Sequence, residues 1–400
     1  MPPSPITSYS AVRAGTIIPL AGESAARGLD ALTRPLEYID DGIVLTQGTT
    51  ILAVEPYRDY IRRPDALPVS AIHDLGDGLL VPGLINSHTH LEISHMAGKT
   101  VRGKGFSDWV SSLVALDKNP PESTHEAILN AVASLTDYGI AGVGDISSRM
   151  PQTVLHATRK SGIEARIFCE IIGHAPTAVD QARTEAETDP FFSLAGHAFY
   201  TTPGKTIANA HQWCVGKGLP FSLHLAEHED EAQCLQNASG KLYELLRERV
   251  LPPSWRPPGQ SPVQYAASLG LLTSGTLAVH CVHCDDADIA TLAAGSAAIC
   301  LCPRSNAYIA VGESPAKSFA EKGILLCLGT DSLASCADLD VWNEAEYFLK
   351  KNILPPKALL RMATVNGASV LGLSAQVGRL EKGMRFCYKL FPKEMTALFC

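Results

Sequence analysis

The chain has 400 residues, 46% of them apolar, and its 33 basic and 41 acidic side chains leave a net charge of −8. Such a length and composition suit a globular protein of one large domain or two ordinary ones, and the acidic balance without a basic cluster excludes nucleic acid as a partner. No apolar run reaches the roughly 18 residues of a membrane span, so no membrane partner is expected, and the opening MPPSPITSYSAVRAG lacks the basic start and apolar core of a secretory signal.

Residues 11 to about 78 read as short strands and turns, with DGIVLTQGTTILAVEP as a hairpin around Gln47-Gly48. After HDLGDGLLVPG the texture changes. From 79 to 375, β-rich runs alternate with longer helical stretches such as STHEAILNAVASLTDYG and DDADIATLAAG. The strand candidates are GLLVPGLINSHTH, GIAGVGDIS, EARIFCEIIG, AGHAFYTTP, GLPFSLHLAE, GTLAVHCVH, SAAICLCPRSN and GILLCLGTDS. Those in the second half are almost unbroken apolar runs, as parallel strands covered on both faces should be. This rhythm predicts an α/β fold, a (β/α)8 barrel of the TIM type. A doubly wound sheet shares the alternation, but no Gly-x-Gly-x-x-Gly follows a strand. LPPSWRPPGQSP, residues 251–262, reads as a loop within the fifth unit. The tail GRLEKGMRFCYKLFP returns to strand texture and is expected to rejoin the N-terminal strands. The expected domains are a barrel over 79–375 and a small β-sandwich built from 1–78 plus 376–400.

Eleven cysteines, several inside apolar runs, read as buried reduced thiols and imply a reducing cytoplasm. Cys281 and Cys284 form one Cys-x-x-Cys with no second pair at zinc-finger spacing.

Catalytic residues of such barrels stand at the C-terminal ends of strands. Here the first run ends in His88-Thr89-His90, the fourth contains His197, and the fifth ends in His224 with Glu227 beyond it. The sixth ends in His280 with His283 beyond it, and the eighth ends in Asp331. A lone strand-end histidine is more often structural. His88 and His90, two apart on a strand, point to the same face and can reach one ion. Two histidines, a third and an aspartate make a nitrogen/oxygen site suited to Zn²⁺ or Fe²⁺. His73, His95, His125, His156, His174 and His211 read as surface or packing residues, and His228 fits either reading.

Together VPGLINSHTHLE, HLAE, AVHCVH, CPRSN and LGTDS resemble the amidohydrolase superfamily, in its branch of mononuclear deaminases and chlorohydrolases. The resemblance runs from about 40 to 383. It implies a barrel flanked by a β-sandwich, one divalent metal held by His88, His90, His224 and Asp331, Glu227 as acid/base, and His280 assisting the attacking water, with His283 as the competing choice. Binuclear relatives carry a carboxylated lysine at the end of strand four, where this chain has AGHAFYTTP; a single ion follows, Zn²⁺ before Fe²⁺. HTHLEIS, GFSDWV and CPRSN look most like bacterial deaminases of 6-amino-6-deoxyfutalosine, an adenosine-like intermediate of menaquinone synthesis. The implied activity is hydrolytic release of ammonia from such a small-molecule substrate. The alternatives are a guanine- or cytosine-type base deaminase, a cyclic amide hydrolase or chlorohydrolase, or a non-catalytic barrel module, with homo-oligomerisation left open. Among residues near the mouth, Glu92, two past His90, Arg102 and Trp109 in the loop after strand one, His197, and Asn306 at the end of strand seven are expected to contact substrate.

Overall fold

The computed structural model describes residues 9–117, 124–175 and 177–399. Two sheets organise them. The first contains β1 (Tyr9–Ile17), β2 (Ile39–Gln47), β3 (Thr50–Pro56), β4 (Val69–Asp74), β5 (Leu79–Pro82) and β14 (Tyr388–Phe391). The second holds eight strands: β6 (Leu84–Thr89), β7 (Ile140–Ser147), β8 (Glu164–Ile171), β9 (Phe192–Gly196), β10 (Phe221–Leu225), β11 (Thr276–His280), β12 (Ala298–Leu301) and β13 (Leu325–Leu328).

In the first sheet, β2 and β3 form the expected antiparallel hairpin, and β14 from the far end of the chain pairs antiparallel with β5. The expected sandwich takes the form of one hydrogen-bonded sheet with apolar clusters around Ile17 and Val44 and around Ile43 and Leu45. Strand β1 makes this possible: its early residues pair with β4 and its last two with β5. GLLVPGLINSHTH, read as one strand, is two. Pro82 closes β5 in the first sheet, and Gly83 turns the chain into the barrel strand β6. A side chain at Gly83 would meet Ala141 Cβ and Cys387 Sγ, each at 2.7 Å, so only glycine lets the two sheets abut there.

All strand pairs of the second sheet are parallel, in sequential order from β6 to β13. Strands β6, β7, β9, β10, β11, β12 and β13 are buried at every residue, which accounts for their unbroken apolar texture. Helices fill the connections, and their ends carry local signals. Ser261 accepts the Gln264 N–H at the start of helix Pro262–Ser268, Asp285 accepts the Asp288 N–H before Asp286–Ala294, and Gly162 ends Pro151–Ser161 at φ 73°. The barrel closes where Thr330 and Asp331 N–H both donate to His88 O at 3.1 Å, and Asn86 exchanges hydrogen bonds with Thr330. Gly329 permits this closure: a Cβ there would lie 2.8 Å from His88 Cβ.

Arg361, fully buried, ties the 23–35 segment to the last barrel helices. Its guanidinium donates to both Glu23 carboxylate oxygens at 2.7 Å and to the carbonyls of Leu32 and Arg34. Removing the cation strands the carboxylate and two carbonyls. Arg361→Met is therefore expected to lower the unfolding free energy by about 3 kcal/mol in a urea titration, the low end for a broken buried pair because Glu23 is partly exposed; an unchanged midpoint would contradict this account.

Candidate metal centre and active site

Four side chains from two barrel strand ends, β6 and β10, and the loop after β13 meet at the C-terminal mouth. His88 and His90 leave β6 on one face, their ring centroids 4.9 Å apart. His224, from β10, brings its Nε2 to 3.3 Å from His90 Nε2. Asp331 follows β13 with φ 59°, a left-handed conformation unusual for a side-chain-bearing residue and held by the closure bonds to His88. Its Oδ1 lies 3.5 Å from His90 Nε2 and 3.9 Å from His88 Nε2. Its Oδ2 accepts Ser305 Oγ at 2.6 Å and Ser335 Oγ at 2.9 Å, which fixes the carboxylate plane. The Thr89 hydroxyl donates to the Asp331 carbonyl at 2.8 Å.

Charge and protonation suit a cation. Burial, and then the neighbouring His90, hold His88 well below the usual imidazole range; burial and His88 do the same to His224. Burial alone would raise Asp331, but His90, His280 and His88 outweigh it and keep its carboxyl below the usual range. Neutral imidazoles around an ionised carboxylate are the protonation states that ligate. Both ring nitrogens of His88 are buried without a hydrogen-bond partner, a costly arrangement unless something else meets them. The 3.3 Å between His90 and His224 nitrogens matches the edge of a tetrahedron with metal–nitrogen bonds of about 2.0–2.1 Å. His224 Nδ1 donates to the His197 carbonyl at 3.2 Å, orienting the ring from behind. A second group with metal-binding spacing, Glu170, His197 and His224, shares His224 with the first.

Beside this cluster stands Glu227, 5% exposed, its Oε1 3.6 Å from His280 Nε2. Burial, then Asp331 and Glu231, push its carboxyl well above the usual range, which favours its protonated form. His280 Nδ1 meets Asn306 Oδ1 at 3.0 Å, which leaves Nε2 to face the cavity. The two sixth-strand histidines are placed differently. His280 lines the cavity, whereas His283 Nε2 is bonded to the Val311 carbonyl at 2.6 Å.

His90, His224, Glu227, His280 and Asp331 line a cavity of about 810 Å³, toward the upper end of small-molecule pockets of roughly 300–1,000 Å³. Glu92, Trp109 and His197 all line it. The Glu92 carboxylate is engaged by Ser147 Oγ and by the N–H groups of Ser148, Arg149 and Met150 at 2.9–3.1 Å, so it also fastens the loop after β7. Trp109 donates its indole N–H to Ala334 O at 3.1 Å. His197 Nδ1 lies 2.7 Å from Thr201 Oγ1. Two expected contacts are not brought to the cavity. Arg102 is exposed, its guanidinium 5.3 Å from the Tyr308 ring centroid. Asn306 lies behind His280 and supports it. Conversely, His95, expected at the surface or in packing, lines the cavity.

Glu170 is a cavity residue that was not among the expected site residues. It follows β8's apolar run, lines the cavity, and has a buried Oε1 with no hydrogen-bond partner, 3.9 Å from His224 Nδ1. An acid interrupting RIFCEII is the signal that could have found it. No lysine lines the cavity among the described residues, and Lys205 is exposed at the start of helix Gly204–Lys217.

An eight-stranded parallel barrel with a histidine/aspartate cluster and a buried glutamate at its C-terminal mouth defines a metal-dependent hydrolase. The model of the amidohydrolase family matches residues 79–396, and the chain belongs to that family. Among its relatives, a 5-methylthioadenosine/S-adenosylhomocysteine deaminase of Desulforamulus reducens is 30% identical over 76% of this chain and 70% of its own length. An aminodeoxyfutalosine deaminase of Deinococcus radiodurans is 27% identical over 83% of this chain and 81% of its own. The crystal structure of Helicobacter pylori aminofutalosine deaminase with methylthio-coformycin aligns with a TM-score of 0.81 at 21% identity, over 97% of this chain and 95% of that one. A zinc-bound adenosine deaminase structure from Xanthomonas campestris aligns at 0.74 with 22% identity, over 94% and 83%. Among the described residues, no helix is long and apolar enough to cross a membrane.

Proposed function

We propose that this protein is a single-metal aminohydrolase that releases ammonia from an amino-substituted purine nucleoside, with 6-amino-6-deoxyfutalosine of menaquinone synthesis as the best candidate and other adenosine-like nucleosides next. The observation that carries the reading is the pair Glu227–His280 facing one cavity beside the His88–His90–His224–Asp331 cluster. Names of relatives at 27–30% identity support a nucleoside as substrate.

His88, His90, His224 and Asp331 would hold the ion, with Zn²⁺ favoured and Fe²⁺ able to accept the same donors. A divalent ion in such a site supplies Lewis acidity that brings the pKa of water toward 7. Asp331, kept ionised, accepts a proton from the attacking water. His280 presents Nε2 as an acceptor and orients that water, its tautomer set by Asn306. Glu227, kept neutral, protonates the ring nitrogen next to the amine-bearing carbon as water adds there. The proton held by Asp331 then passes to the departing amine through Glu227. As the C–N bond breaks and ammonia leaves, the added hydroxyl gives its proton to Glu227, which returns that acid to its neutral form and leaves the oxo product with its conjugation restored. Glu92, Trp109 and His197 border the ring and its substituent.

The test is product analysis on a panel of aminopurine nucleosides and free bases. Stoichiometric ammonia with an oxo product is expected from at least one nucleoside. Ring opening without ammonia would replace this reading with that of a cyclic amide hydrolase.

A further inference from the structure

We infer that Glu231 is a positioning residue for Glu227, aiming the acid/base by accepting its backbone N–H. This inference rests on the role proposed for Glu227.

The chain leaves β10 through a tight irregular passage. Ala226 has φ 51°, a left-handed conformation that costs a residue with a Cβ. Glu227 and His228 follow, and helix Glu229–Asn237 begins. The carbonyl side of this passage is braced by the end of β11: Leu225 O accepts Cys281 N–H, and Ala226 O accepts both Val282 and His283 N–H, all at 2.9–3.0 Å. The N–H side is braced by Glu231, whose carboxylate is met by backbone N–H groups of Ala226 and Glu227. Glu227 N–H donates to Glu231 Oε2 at 2.9 Å. In return, the Glu231 N–H reaches His228 Nδ1 at 3.2 Å, so a histidine caps the helix and the acid three residues on reaches back. This is the reciprocal logic of a capping box, shifted by one residue so that its recipient is the acid/base.

Ordinary capping does not explain the burial. Glu231 is 0% exposed, and among the described residues no cation pairs with it. An exposed first-turn acid would satisfy the helix at far lower cost. The ring that Glu231 meets is fixed as well: His228, 3% exposed, stacks on Phe106 with centroids 3.7 Å apart and planes 12° apart. Phe106 lines the cavity, and the neighbouring Ser107 donates to Asp230 Oδ2 at 3.0 Å. The backbone of Glu227 is thus held from the strand behind it and the helix ahead of it. Losing one brace frees φ and ψ at the residue whose carboxyl must reach the ring nitrogen.

The test compares metal-loaded Glu231→Met, which keeps length but loses the acceptor, with Glu231→Gln, whose amide oxygen can take the same N–H. Misplacement of a catalytic group by about 1 Å costs on the order of 100-fold. The Met variant is expected to lose kcat by about that factor with KM and metal content unchanged, and the Gln variant to recover to within a few-fold of the parent. In a Glu227→Gln background the Met substitution should cost nothing further, because Glu231 acts only through Glu227. Wild-type kcat in Glu231→Met, equal damage in Met and Gln variants, or an equal loss in the Glu227→Gln background would overturn the inference. If Glu231→Met does not fold, Glu231→Gln against Glu231→Thr, shorter and hydroxylated, carries the same comparison. A fully active Glu227→Gln enzyme would instead remove the reading of Glu227 on which the inference rests.

Discussion

Glu227→Gln is expected to lower kcat by about 10²–10⁴-fold, the usual contribution of a placed acid/base, while the protein still folds and binds its ion. The substitution keeps the size and the Glu227 backbone bond to Glu231 but removes the transferable proton. The environment explains why the loss should be large. Burial, Asp331 and Glu231 all push the Glu227 carboxyl well up, which favours the protonated form that the reaction uses. An amide cannot donate that proton and return it. Stopped-flow or steady-state ammonia release, with metal analysis on the same samples, checks the prediction. Turnover within a few-fold of the parent would mean that another group moves the proton.

The second large effect is on the ion. His90 is the most exposed of the three histidines, with 17% of its side chain accessible, so its removal disturbs packing least. His90→Ala is expected to abolish tight metal binding and turnover together. A ligand that binds only the folded state stabilises by about 2.7 kcal/mol at a hundred times its Kd. Unfolding of the parent should therefore shift upward by about that amount when the metal-free protein is reloaded, and the His90→Ala variant should not shift. Equal shifts in both proteins would place the ion elsewhere, with the Glu170–His197–His224 group as the next location to examine.

The sequence made parts of this site legible for physical reasons. His88 and His90 stand two apart on a buried strand, and period-two geometry alone puts them on one face. His224, Glu227, His280 and Asp331 each close or follow an apolar run, where a polar residue has few structural excuses. What stayed hidden depends on contacts between distant segments. Ser305 and Ser335 fix the Asp331 carboxylate, yet nothing in their local sequence says so. Arg102 and Asn306 stand close in sequence to the mouth, but loop side chains have no period to give their direction; one turns to Tyr308 and the other supports His280 from behind. The same holds for the fold. The β2–β3 hairpin was readable from its Gln-Gly turn. The single terminal sheet was not, because β1 divides its pairing between β4 and β5. The break at Pro82-Gly83 was hidden inside one apolar run.

Titration of metal-free enzyme with Zn²⁺, followed by ammonia release from the best nucleoside of the panel, tests the central claim most directly. One cluster of His88, His90, His224 and Asp331 predicts activity that rises linearly and levels off at one ion per chain. Full activity without added ion, or a plateau only at two ions per chain, would contradict it.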